Sequence, residues 1–74
     1  MKIRSQDAKK LLDLCECYVA DCSTGEAGVY VKSRYGKDAA LVGVYESEAR
    51  AKGVMYEICL ADCRKERVFY MPGA

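Results

Sequence analysis

Short runs in which apolar and polar residues alternate give way to one stretch where apolar residues return every three or four positions, and then to a last alternating run. Period two marks a half-buried strand and period 3.6 a helix with one covered face. Met1–Ser5 sets Met1 and Ile3 against Lys2 and Arg4, which predicts a short first strand. From Leu11 or Leu12 through Ala20 a longer run places Cys15, Cys17 and Val19 on one face and Leu14, Glu16 and Tyr18 on the other. Residues 7–16 also hold good helix formers, so a helix competes there; the strand is adopted.

The turn-rich segment Asp21–Gly28 predicts a hairpin loop. Val29–Tyr35 follows as a strand, with Val29, Val31 and Ser33 on one face and Tyr30, Lys32 and Arg34 on the other. Ala39–Tyr45 is apolar almost throughout, which predicts a central strand covered on both faces, with Gly43 marking a bulge or close packing. These runs form a meander.

Ser47 is a suitable N-cap, and Glu48 supplies negative charge to the first turn. Ala51, Val54, Met55, Ile58 and Ala61 share one helical face, opposite Glu48, Lys52, Glu57, Arg64 and Lys65. A helix from about Ser47 to Arg64 is expected, with Ala51, Val54, Met55 and Ile58 buried and Gly53 admitting a strand. Arg67–Met71 alternates as a last strand that Pro72-Gly73 ends. The pattern predicts an α+β fold: one domain over 1–74, a small antiparallel sheet of four or five strands, and one helix packed on one face.

At 74 residues the chain supports a single core. Its 51% hydrophobic and 31% charged content is that of a folded protein. A net charge of +1 gives no global field for nucleic acid or an anionic membrane. No apolar run reaches the roughly 20 residues of a membrane span, and MKIRSQDAKK lacks the apolar centre of a signal peptide, so a cytoplasmic location is expected. Cys15, Cys17, Cys22, Cys59 and Cys63 are an odd set with C-x-C and C-x3-C spacings and no histidine. That disfavours a disulfide framework and a zinc site. Free thiols filling core gaps are expected, with no metal.

Without histidine no Ser-His or Cys-His pairing can form. The glycines make no phosphate-cradling motif, and nothing in the spacing of the carboxylates selects a pair for acid/base work. The chain therefore reads as a non-enzymatic binding protein with no cofactor. Three features stand out: the polar strand exit Arg4-Ser5-Gln6-Asp7, the row Tyr30, Lys32, Arg34 and Tyr35, and the helix flank Tyr56, Cys59, Leu60 and Cys63. With the first and last strands side by side, Arg4, Gln6 and Tyr70 would line a groove. The candidate binding residues are Arg4, Gln6, Tyr30, Lys32, Arg34 and Tyr70. Tyr56, Leu60 and Cys63 are candidates for a homo-oligomer interface, because small domains without staples often self-associate.

Met1–Asp7, Leu41–Ala51 and Val68–Pro72 resemble, in order, the IRSQD, LGxYxSEERA and YxMP stretches of a family of short proteins of Firmicutes phages and mobile elements. The likeness covers about a third of the chain and departs in the cysteine-rich segment Cys15–Cys22. It implies an α+β fold and a phage setting, in which small proteins act on host defence by occupying a partner or sequestering a ligand. The expected function is a protein-binding inhibitor or modulator of a host system. The alternatives are an oligomeric binder that sequesters a nucleotide signal, and a structural domain.

Overall fold

A computed structural model describes residues 1–23, 25–33 and 38–73. The elements run β1 (Lys2–Arg4), β2 (Leu11–Asp13), β3 (Glu16–Ser23), β4 (Glu26–Lys32), β5 (Ala40–Tyr45), α1 (Glu48–Cys63) and β6 (Val68–Tyr70). The α+β class holds. In place of one antiparallel sheet of four or five strands there are two three-stranded sheets, ordered β2-β1-β6 and β3-β4-β5. The β1·β6 pair is parallel and the remaining pairs are antiparallel.

The expected strand from Leu11 to Ala20 is broken because its two ends belong to different sheets. Leu12 pairs with Ile3 and Cys17 with Val31, and the chain crosses between the sheets at Leu14-Cys15. The expected hairpin loop is also shorter than its turn-prone composition implied. Ala27 pairs with Asp21 and is buried, so strand pairing and core burial override turn propensity up to Ser23 and again from Glu26. Gly28 tolerates this because it has no side chain: a Cβ there would lie 2.4 Å from Cys22 Sγ and 2.6 Å from Leu41 Cδ1.

β5 is an edge strand of its sheet, not the central one expected. Between Val29↔Gly43 and Tyr30↔Leu41 the register shifts, leaving Val42 as an extra, buried residue. The bulge foreseen near Gly43 is present, and packing there is tight. A Cβ on Gly43 would stand 2.8 Å from Tyr45 Oη and 3.1 Å from Met71 Cε.

α1 begins where expected, with Ser47 Oγ accepting from the Arg50 amide at 3.1 Å. Its end is a Schellman closure: Lys65 N–H donates to Asp62 O, Glu66 N–H donates to Ala61 O, and Lys65 takes a φ of 59°. The helix lies on β3-β4-β5. Ala51, Val54 and Ile58 are buried, as the 3.6 period requires, but Met55 is only half-buried. Gly53 faces open space, so no strand approaches it.

Both sheets feed one core. Ile3 and Met71 meet Ala27, Val29, Val31, Val42 and Tyr45 beneath the helix face. The cysteines contribute little to it: Cys15, Cys59 and Cys63 are exposed and Cys22 is half-buried, while Cys17, also half-buried, packs against the core, all as free thiols. Among the described residues no helix is long and apolar enough to cross a membrane.

Candidate functional site

Gln6 bonds the chain just past β1 to β5 of the other sheet. Past β1 the Gln6 amide donates to Val42 O at 2.7 Å, on the outer edge of the β5 bulge. The Gln6 carboxamide then completes the splice: Oε1 accepts from Val44 N at 2.9 Å, while Nε2 donates to Val44 O and Pro72 O, each at 3.3 Å. Tyr45 Oη donates to the same Pro72 carbonyl at 2.9 Å. The Tyr45 ring is 1% exposed, with the Arg50 guanidinium 5.5 Å from its centroid. Burial, ahead of the opposing Arg50 charge, pushes the Tyr45 phenol up.

Behind Gln6 the chain makes a knot of short-range bonds. Ser5 Oγ donates to Asp7 Oδ1 at 2.6 Å and accepts from Lys10 N, and the Lys9 amide donates to the same carboxylate oxygen. Ser5 O accepts from Ala8 N, and Ala8 adopts a φ of 62°. The Ser5 hydroxyl and the Lys9 amide hold the Asp7 carboxyl below its ordinary range. This turn swings Lys9 and Lys10 to the outer side of the sheet.

There β-pairing does the rest. Ile3 points into the core, so Lys2 and Arg4 point out. Arg4 pairs with Leu11 on one side and Tyr70 on the other, which sets Leu11, Arg4 and Tyr70 in one row across the sheet. The Arg4 guanidinium carbon lies 5.6 Å from the Tyr70 ring centroid. Ala8, Lys9, Lys10 and Val68 complete a groove of about 340 Å³. Among the described residues three that line it are cations and none is a carboxylate. In the neighbouring row Lys2 pairs with Asp13 at 2.9 Å, so its charge is offset.

The candidate residues thus separate. Arg4 and Tyr70 come together. Gln6 does not line their groove, because its polar atoms are spent between the sheets. Tyr30 and Lys32 lie on the outer face of the other sheet, where the Tyr30 ring stacks on Tyr18 with centroids 5.3 Å apart. The Tyr30 hydroxyl is 3.6 Å from Cys22 Sγ, and that contact, then burial, pushes its phenol up. Arg34 and Tyr35 lie outside the described residues. On α1, Tyr56 and Cys63 are exposed and Leu60 is half-buried. Burial, and to a lesser degree nearby Cys59, pushes the Cys17 thiol up. Among the described residues no cluster of His, Cys, Asp or Glu is arranged to hold a metal ion.

Lys9, Lys10 and Leu11 line the groove without having been singled out in the sequence. A signal was present: two lysines follow Ser-x-Asp, an Asx-type turn maker, and lead into an apolar run. No family model matches the chain, and no curated protein or solved structure does.

Proposed function

We propose that this is a non-catalytic accessory protein of the phage type that acts by docking on a partner protein, and that the outer face of β2-β1-β6 receives an acidic segment of that partner. The observation that carries this reading is the groove itself, whose lining among the described residues holds Arg4, Lys9 and Lys10 and no carboxylate. Tyr70 and Leu11 are 63% and 56% exposed, which favours a macromolecular partner. Side chains standing that far out cannot enclose a small ligand, whereas tyrosine, arginine and an apolar anchor are the usual energetic centre of a protein interface. Inhibition or modulation of a host system, as the phage resemblance implies, is the setting in which such an interface would serve.

The test is an NMR titration with a random glutamate–tyrosine copolymer as probe. Expected are shifts at Arg4, Lys10, Leu11 and Tyr70, weakening with salt. Arg4→Ala combined with Lys10→Ala should weaken binding about tenfold or more, the loss of two charge contacts, without lowering the melting temperature. Absence of shifts at the groove would overturn the reading. Saturable binding of ATP there, with no response to the copolymer, would replace it with nucleotide sequestration.

A further inference from the structure

We infer that two copies of the chain join edge to edge through β3, forming one continuous six-stranded sheet about a twofold axis at Val19. Val44 gives both its N–H and its C=O to Gln6 on the far side of β5, so it exchanges none with its partner Gly28. Antiparallel pairing alternates bonded and non-bonded pairs. Gly28 and Tyr30 therefore direct their peptide groups to β3, and the β3 residues bonded in return are Ala20 and Tyr18. By the same alternation, the N–H and C=O groups of Cys17, Val19 and Asp21 point away from the sheet. They line the outer edge of a strand that, among the described residues, pairs only with β4.

Native edges are protected by proline, lysine, shortness or an early bulge. β3 spans eight residues without proline or lysine, and its register shift comes only after Asp21. Its two charges lie near its ends, and Glu16 already stands opposite Lys32 within the sheet.

The edge is complementary to itself in one register above others. Pairing Val19 with Val19 of the second copy sets Cys17 opposite Asp21 and Tyr18 opposite Ala20. All three outward-facing residues then exchange both peptide groups, and no like charges meet. A slip of two residues toward the start of β3 leaves Asp21 opposite Cys15, outside the strand, and one toward its end sets Cys17 opposite Ser23, beyond the register shift that ends the regular edge. In the favoured register each exposed Tyr18 ring comes beside the small Ala20 side chain at a close, non-bonded pair. The Tyr18–Tyr30 stacks of the two copies then share one outer face. Isologous closure of this kind stops at a dimer and uses up the edge. The groove belongs to the other sheet, so this inference does not depend on what that groove binds.

Sedimentation equilibrium should give, at high concentration, twice the 8.2 kDa chain mass. Amide hydrogen exchange supplies the register. Val19, Cys17 and Asp21 should gain protection as dimer forms, whereas Tyr18 and Ala20, bonded to β4, should be protected at every concentration. Asp21→Pro removes one outward donor per copy and should weaken association about tenfold or more. A monomer at all concentrations would overturn the inference. So would a dimer in which the Val19 amide exchanges as fast as in the monomer. The exchange pattern needs no variant, so it decides the matter even where Asp21→Pro fails to fold.

Discussion

Arg4 and Gln6 stand two residues apart at one strand exit, and the fold uses them in opposite ways. Arg4 lies inside β1, so alternation turns it outward, where its guanidinium rests beside the exposed Tyr70 ring. Gln6 lies past the strand, where its amide and carboxamide are spent on Val42, Val44 and Pro72. Tyr70 and Tyr45 divide in the same manner, one 63% exposed and the other 1%. A short polar or aromatic stretch therefore mixes residues that hold the fold with residues free to bind. Met1–Asp7, Leu41–Ala51 and Val68–Pro72 meet at the joint between the sheets through Gln6, Val44, Tyr45 and Pro72. Arg4, Val68 and Tyr70 from these stretches line the groove.

The two tyrosines give the largest expected contrast. Tyr45→Ala empties a core site and removes a donor to Pro72, at a cost of about 3–5 kcal/mol. That is most of the stability a single small core supplies, so the variant should lose its cooperative thermal transition by circular dichroism. Tyr70→Ala should melt within about 0.5 kcal/mol of the parent, as exposed substitutions do, and lose copolymer binding instead. Equal melting of the two variants would show that the joint is not what holds the sheets together.

Gln6→Ala is the next step down. It strips partners from Val44 N–H, Val44 O and one of the two donors to Pro72 O, for about 2–3 kcal/mol by urea denaturation. Arg4→Ala should cost no more than about 0.5 kcal/mol. If Gln6→Ala proved as mild as Arg4→Ala, water would be replacing the carboxamide and the splice would be of little consequence.

The elements that the sequence made legible are those whose signal is local. Ser47 announced the start of α1 because a cap acts within four residues, and Ala51, Val54 and Ile58 announced its buried face by their period. The β3-β4-β5 meander followed from runs separated by turns. What was not legible depends on partners far along the chain. Nothing near Leu14 states that β2 pairs with β1 and β3 with β4, so the split into two sheets was hidden. The groove was half legible for the same reason. Arg4 and Tyr70 stood out as polar and aromatic, whereas Lys9 and Lys10 matter only because the Ser5–Asp7 knot turns them outward.

That knot gives the smallest expected effect and ties folding to the groove. The Asp7 carboxyl sits below its ordinary value of 3.8, chiefly through the Ser5 hydroxyl and then the Lys9 amide, with the charges of Lys9 and Lys10 helping. A carboxyl depressed in the folded state contributes stability that is present above the unfolded value and is lost as pH falls through the folded one. The loss therefore falls in the acid range below about pH 4 and is absent at neutrality. Asp7 is fully exposed, so the effect on global unfolding is small and is best read locally. As pH falls, the NMR signals of Ala8, Lys9 and Lys10 should move before the core signals of Ile3 and Val29. In Asp7→Asn that early movement should vanish, because no charge remains to be neutralised. The variant keeps an acceptor oxygen for the Lys9 amide, so at neutral pH its melting temperature should stay near the parent's. Ser5→Ala, which removes the strongest contact to the carboxylate, should shift the same transition upward in pH toward the ordinary carboxyl value. If the turn signals in Asp7→Asn tracked those of the parent through the acid range, the carboxylate would not be what orders the turn, and the placement of Lys9 and Lys10 would have to rest on the bonds Ser5 makes to Ala8 and Lys10, among them the Ser5 amide donating to Lys10 O at 3.0 Å.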